Sequence, residues 1–429
     1  MKAIIILTFI FAIAFPSMLK SQDFEMGGFG EIDYFTYFKT IDGKINARNQ
    51  AILQLEPRVY LGSDAFAFSS VEFREDQADP VRNRVFLDEA YLDLYFNNLD
   101  LRIGKQIIIW GKADGINPTD NITPWDFTDV LDTDDERIGV VSLKANYYID
   151  DWTLEGIVVP TFTASLFPSE NSRWYPTFPG TIPNPMYPGA GDPYLKVFYD
   201  FANPVLPDAS FKNAQYAVKL SSTFPGWDVS LSYYYGRDDL PTFRQSQSLI
   251  NDSLFIDIQT EYNRRNVLGG DFSTSLGRWG IRGEAAYYFT ENPQGTDPDI
   301  DIPYFQYVIG LDRNFSNLIG NNNLFVIIQW IQEIPKFPIE YDTFDLNHVF
   351  QKSVMARLEF ELGTFSKIIM EGVYNFKKGD SYLRTDFAYN VFDGVEFNLI
   401  AYFLGGSADS FFGSFNNNDR IQAKLKYSF

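Results

Sequence analysis

The 429-residue chain contains no cysteine and one histidine, His348. Without cysteine there is no disulfide framework, lipoprotein anchor, thiolate metal site or thiol nucleophile. One histidine beside Asn347, at the start of an expected strand, is a weak basis for a catalytic triad, which is recognised by geometry rather than by sequence position. No GxSxG, P-loop or HExxH pattern occurs. The sequence therefore argues against an enzyme, and no cofactor or metal is expected. After the first residues no apolar run nears about 18 residues, so there are no helical membrane spans. Linkers, low-complexity tracts and long segments of 3.6-residue period are missing too, and residues 22–429 read as one domain. Basic residues are scarce, 35 against 56 acids, for a formal charge of −21. That balance speaks against nucleic acid as a partner.

What the chain does contain begins with Lys2, an apolar run from Ala3 to Phe15, then Pro16 and Ser17. This is the pattern of a secretory signal peptide over residues 1–21, with cleavage near Ser21. Its removal takes Lys2 and Lys20 and no acid, leaving −23. Aromatic residues make up 17% of the chain, with 41 Phe and 26 Tyr, as the aromatic girdles of membrane barrels would produce. At the other end, Ile421, Ala423, Leu425, Tyr427 and Phe429 alternate with Arg420, Gln422, Lys424, Lys426 and Ser428. Side chains on a strand alternate faces, so this is a strand with one apolar and one largely cationic face. It resembles the closing strand of Gram-negative outer-membrane β-barrels. That resemblance implies an outer-membrane address and the barrel-assembly machinery as a partner through Phe429.

The same period of two recurs throughout. Gln50–Leu61 sends Ala51, Leu53 and Leu55 one way and Gln50, Gln54, Glu56 and Arg58 the other. A strand is expected over Leu101–Trp110 and another over about Asp257–Leu276. Asp393-Gly394 marks a hairpin. Connections after even-numbered strands are short turns, and those after odd-numbered strands are generally longer. That parity fits an all-β fold, a single transmembrane antiparallel up-and-down barrel of about 18 strands, with 16 as the alternative count, short periplasmic turns and long extracellular loops. The first strand starts so soon after the cleavage site that no plug domain of a TonB-dependent transporter fits before it.

A barrel of this size encloses an aqueous lumen. The inward set Arg58, Arg74, Glu72, Glu89, Arg102, Gln106, Trp110, Lys144, Arg282, Glu284, Arg357 and Arg384 is expected to line it. Facing charges of opposite sign would set a transverse field and an ion preference; alternatively they only keep the wall wetted and paired. The segment Gly111–Arg137 is long enough to fold back as a constriction loop carrying Asp114, Asn117, Asp120, Trp125 and Asp126, or to remain an ordinary external loop. Its leading stretch, Arg102-Ile103-Gly104-Lys105-Gln106 through Trp110-Gly111 to Asn117-Pro118-Thr119-Asp120, resembles a segment of a broad, largely uncharacterised family of porin-like outer-membrane proteins. Leu268-Gly269-Gly270-Asp271 and Ile281-Arg282-Gly283-Glu284-Ala285 are similar to the same family. The resemblance implies channel or export-type transport without naming a solute.

The Pro- and aromatic-rich stretch Thr163–Phe211 is expected to pack over the barrel mouth and bury its own rings, with a lid or sugar-stacking surface as the other reading. Asp132, Asp134, Asp135 and Glu136, and Asp297, Asp299 and Asp301, read as solvated acidic surface, bridged by divalent cations to lipopolysaccharide; no EF-hand spacing is present. The expectation is a porin-like channel for passive diffusion of small polar or amphipathic solutes, in contact with outer-membrane lipid, with a homo-oligomer left open. The rivals are a transporter for hydrophobic compounds, a barrel-embedded hydrolase using His348, and an adhesion protein presenting its acidic loops.

Overall fold

Alternating sequences of this kind must hide their polar face, and a sheet closed on itself does so while leaving no unpaired edge. The computed structural model describes residues 24–77, 79–132, 137–187, 193–320, 322–341 and 345–429. The expected signal peptide, and Asp134, Asp135 and Glu136, lie outside the described residues. The first seven strands are β1 (Phe24–Tyr37), β2 (Ala47–Tyr60), β3 (Ala65–Asp76), β4 (Arg84–Tyr95), β5 (Leu99–Gln106), β6 (Val140–Ile149) and β7 (Trp152–Val159). Then come β8 (Thr181–Pro183), β9 (Tyr194–Phe201), β10 (Gln215–Phe224), β11 (Trp227–Arg237), β12 (Thr242–Ile250), β13 (Ser253–Glu261) and β14 (Arg264–Leu276). The last eight are β15 (Trp279–Thr290), β16 (Tyr304–Ile319), β17 (Asn322–Pro335), β18 (Lys352–Glu361), β19 (Ser366–Asn375), β20 (Asp380–Phe392), β21 (Val395–Gly405) and β22 (Arg420–Ser428).

Eighteen of these form one antiparallel sheet, and it closes because β1 pairs with β22, Ile32 opposite Leu425. The remaining four, β8, β9, β12 and β13, form a separate small sheet outside the barrel, with β13 running parallel to β9. So β7 pairs directly with β10, and β11 with β14. The long–short alternation of connections holds, and Gly394, with φ +77°, completes the tight turn expected at Asp393-Gly394.

The faces sort as the period of two requires. Ile32, Leu53, Ile103, Leu231, Leu311 and Ile328 point outward and are 42–63% exposed in the isolated chain. Trp152, Trp227 and Trp279 sit on that surface beside the short turns. Tyr34, Phe289, Tyr374 and Phe403 sit on it toward the long loops. An apolar band between two aromatic belts is the outer surface of an outer-membrane barrel. Arg420, Gln422 and Lys424 turn inward and are buried.

Two strand expectations are corrected. The fifth ends at Gln106, not Trp110, because the chain bends inward: the Ile108 N–H donates to Thr123 Oγ1 (2.9 Å) instead of to a neighbouring strand. Asp257–Leu276 is two strands, since β13 leaves the barrel for the outer sheet, where Ile256 and Ile258 bury against Val197. The break falls in the polar run Gln259–Asn266, which carries only Tyr262 as an apolar residue and no Gly or Pro to mark a turn.

The face assignment has a direct test. Leu231→Arg, mid-strand on the outer face, is expected to lower refolding stability in lipid vesicles by about 2–4 kcal/mol. A urea titration showing no loss would mean that this face is not against lipid.

Candidate channel constriction

Among the described residues between β5 and β6 there is no strand or helix, so their backbone amides need partners from elsewhere. It finds them across the barrel. Glu284, on the inner face of β15, accepts hydrogen bonds from the backbone N–H groups of Lys112 (3.0 Å), Ala113 (3.3 Å) and Thr119 (2.7 Å) and from Thr119 Oγ1 (2.8 Å). One buried carboxylate thus closes residues 112–119 into a compact lobe against the far wall. Gly111 has φ +109°, and a Cβ there would lie 2.4 Å from Glu284 Oε2. A Cβ at Gly269 would lie 2.6 Å from Thr119 Cγ2. Both glycines of the quoted segments are therefore needed for the close approach of loop and wall.

From that lobe Asp114 pairs with Arg282 and accepts from Gln329 Nε2 (3.2 Å) on β17. Ala113 and Ile116 pack on Val308, Ile331 and Met355, inward residues of β16–β18. The Tyr288 hydroxyl donates to the Pro118 carbonyl (2.6 Å). Behind it, Ile108, Trp110 and Ile122 join Val140, Ile157, Val159 and Ala217 in a buried apolar cluster on the near wall. The segment enters the lumen and reaches from one wall to the other.

Its second half is held by charge. Asp129 is 1% exposed and pairs with Arg48 of β2 and Arg420 of β22. Arg82, also 1% exposed, reaches Asp132, Asp76 (3.1 Å), Thr128 (2.9 Å) and Gln50 (3.2 Å). Arg84 binds Asp126 (2.7 Å) and Arg74 binds Glu72 (2.7 Å). Leu131 buries beside Ile400, Tyr402 and Trp174. Burial alone would raise the pKa of Asp129, but Arg420, Arg48 and Arg82 more than offset it and hold the carboxyl well below its usual range. Asp132 and Asp126 are lowered in the same way, by Arg82 and Arg74 and by Arg84. Asp132 is thus a partly buried anchor, paired with Arg82 and Arg74, and not the solvated surface expected of it.

The expected site residues divide by depth. Arg58, Arg102, Lys144, Arg282 and Arg357 face the lumen 19–35% exposed, toward the short-turn end, and Arg384 at 12% lies deeper. Glu89 faces the same space and accepts from the Ile107 N–H (2.8 Å). Gln106, Trp110, Glu72, Arg74 and Glu284 also point inward, but they are buried beneath the loop. Trp110 donates through Nε1 to Glu155 (2.6 Å) and Gln106 through Nε2 to Ser142 O (3.2 Å). They anchor the loop rather than line open space. Asn117 closes a turn within the lobe, its carboxamide against the carbonyls of Ala113 and Ile116. Asp120 pairs with Arg137, whose guanidinium lies 3.3 Å over the Trp125 ring.

Thr163–Phe211 behaves as expected only in part. Trp174 is buried against Phe415, while Tyr187, Tyr194 and Phe198 stay about half exposed. Arg173 fastens the segment to Lys39 O (2.9 Å) and Asn417 O (2.7 Å). Arg420 was read on the polar face of its strand but not as an anchor of the loop, and Arg48, Arg82 and Asp129 escaped sequence reasoning. Arg48 lies on the inward face of β2; nothing local marks Arg82 or Asp129.

A family model matches residues 39–314, which include the whole inner loop. The chain belongs to the family described as Protein of unknown function (DUF1302). The resemblance to a largely uncharacterised porin-like family is borne out by that membership and by the closed barrel. No curated protein matches this DUF1302 chain. Among solved structures it is similar to a loop deletion mutant of OmpT, an outer membrane protein of Vibrio cholerae, at 10% identity and a TM-score of 0.42, over 96% of this chain and 100% of that one. It is also similar to Salmonella typhi OmpF in complex with daunomycin, at 12% identity and 0.43, over 95% and 98%. A triple mutant of the Rhodopseudomonas blastica porin gives 10% and 0.42, over 95% and 100%.

Asp129→Ala, which strands Arg420 as a buried charge and leaves Arg48 with Asp76 alone (3.3 Å), is expected to cost about 3–5 kcal/mol in urea unfolding; a loss under about 1 kcal/mol would remove the anchor. The pH dependence follows from the depressed carboxyls. Their stabilisation is complete above the ordinary value of 3.8 and is lost as pH falls below it. Amide exchange of residues 107–132 should therefore hold steady from neutral pH down to about 4 after correction for intrinsic rates, then accelerate. Release between pH 7 and 5 would contradict this.

Proposed function

We propose that the chain is an outer-membrane channel for passive diffusion of small polar or amphipathic solutes, its charged lumen narrowed by the inner loop. The observation that carries the reading is the path of residues 107–132, which leave β5, meet Glu284 on the opposite wall and return to the arginines of β2, β4 and β22. Toward the long loops Leu131, Trp174, Tyr402 and Phe412 bury against one another; toward the short turns Arg58, Arg102 and Arg357 remain 26–35% exposed beside their acids.

Those pairs are short. Arg58 meets Glu56, Arg102 meets Asp93 (2.7 Å) and Arg357 meets Glu371 (3.1 Å), each on the same or the next strand. Opposed bands of charge would give a transverse field; neighbouring pairs close the field locally. Weak ion selectivity and tolerance of neutral or zwitterionic solutes follow. The apolar side chains inside the barrel are buried against one another, which offers a hydrophobic compound no open greasy path. The ring nitrogens of His348 face Glu333 and Asp301, and among the described residues neither is hydrogen-bonded to a hydroxyl that it could activate.

In a planar bilayer the purified protein should give an ohmic, salt-scaled current with a cation-to-anion permeability ratio of about one. Glu284→Ala frees three backbone amides and is expected to raise conductance roughly twofold or more by loosening the lobe. A folded protein that passes no current would overturn the channel. A current unchanged by Glu284→Ala and by excision of residues 112–119 would remove the loop from the conduction path. Liposome swelling across sugars, organic acids and oligopeptides then ranks the solutes.

A further inference from the structure

Three acids and the chain's one histidine meet at the rim of the barrel, in a cluster that the inner loop does not use. Asp301 lies in the connection between β15 and β16. Asp345 and His348 lie in the one between β17 and β18, the latter on a single turn of 3-10 helix, Leu346–His348. Glu333 stands at the end of β17. His348 is 2% exposed, stacked on the Tyr341 ring at 3.6 Å with Tyr304 edge-on at 4.7 Å. Its Nδ1 is hydrogen-bonded to Glu333 Oε2 (2.8 Å), whereas its buried Nε2 makes no hydrogen bond. That nitrogen is aimed between Asp301 Oδ2 (3.3 Å) and Asp345 Oδ2 (4.0 Å).

We propose that His348 Nε2, Asp301 and Asp345 bind one divalent cation of the zinc class. Three observations support the assignment. The donor atoms lie within 4.8 Å of one another, and two ligands on a tetrahedral Zn²⁺ with bonds of about 2.0–2.1 Å sit about 3.3 Å apart. A buried carboxylate on the far nitrogen of a histidine is the outer-shell arrangement that fixes the tautomer and leaves the other nitrogen free to bind metal. Charge agrees as well. Arg265 is committed to Asp238 (2.8 Å) and Asp239 (3.7 Å), so Glu333, Asp301 and Asp345 are left around one imidazole. A divalent ion offsets most of that excess. The imidazole ligand favours a borderline cation over Ca²⁺ or Mg²⁺, which take oxygen. The two carboxylates are about a quarter exposed, which leaves an access path and room for water as a further ligand. A bound ion would clamp two external loops together, and Asn347, bonded to Asp238 (2.7 Å), extends the clamp to a third.

The test uses untagged, chelator-washed full-length protein in detergent, titrated with ZnCl₂ by calorimetry and metal analysis. One Zn²⁺ per chain is expected, retained against excess Ca²⁺ and lost in His348→Ala and Asp345→Asn. Glu333→Gln should weaken binding about 10–100-fold. Heat-modifiable electrophoretic mobility confirms that each variant has folded. Should a variant fail to fold, X-ray absorption of the zinc-loaded native protein still decides: one imidazole with oxygen ligands supports the site. A shell without imidazole, no stoichiometric binding, or equal binding by folded His348→Ala overturns it. So does displacement by equimolar Ca²⁺.

Discussion

Asp129 between Arg48 and Arg420 is the contact on which the interior depends. An irregular segment inside a barrel cannot rely on sheet hydrogen bonds, and its carboxylates cannot rely on bulk water. Taking such charges out of water costs several kcal/mol each unless every partner is in place. The chain meets this by making the partners numerous and rigid: arginines on β2, β4 and β22, with Arg82 behind them and the Phe35 ring under both Arg48 (4.2 Å) and Arg420 (4.7 Å). The network also spans the closure of the barrel, since β22 pairs with β1 and β1 with β2. The ion cluster that fixes the loop therefore lies across the first and last strands.

The far end of the loop is fixed differently. Glu284 meets no arginine there; it collects backbone N–H groups, much as an anion is held by successive amides of a loop. The wall supplies the carboxylate and the loop supplies the cradle. Small residues make this work. Gly111 and Gly269 remove the side chains that would hold the lobe off the wall, and the apolar cluster around Trp110 fills the space behind it. Ion pairs on one side and amide capture plus packing on the other give the loop two unlike attachments.

Much of the architecture was legible because a barrel writes itself in alternate residues. The outward set through Leu53 and Leu425, the inward Arg58, Arg102 and Arg420, the order of long and short connections and the turn at Asp393-Gly394 all follow from a period of two and from where the loops fall. Depth was not legible. Arg74 and Arg102 have the same local pattern, yet one is buried under the loop and the other stays partly exposed toward the short turns. Only the loop's path separates them, and that path depends on contacts from 42 to 291 positions apart in sequence. The outer sheet was hidden for the same reason: β13 alternates like a barrel strand, and its partner β9 lies in a stretch whose prolines read as loop. His348 looked like a rim residue, which its position supports, but its partners come from two separate connections and the end of β17.

These two depths bear on what a charged lumen means. Arginine and carboxylate on the inner wall are often read as a filter, because rings of one sign repel like ions. Here the same residue types serve two ends according to solvent. Where water is excluded, Arg48, Arg82 and Arg420 are structural, and their charge is spent on Asp129, Asp132 and Asp76. Where water enters, Arg58, Arg102 and Arg357 keep acids beside them, so the wall is polar without strong sign. For the channel we propose, permeation follows the cross-section the loop leaves more than it follows charge. A change of solute range is then expected from residues that move Glu284 and Asp129, the two anchors of the loop, rather than from the paired charges toward the short turns.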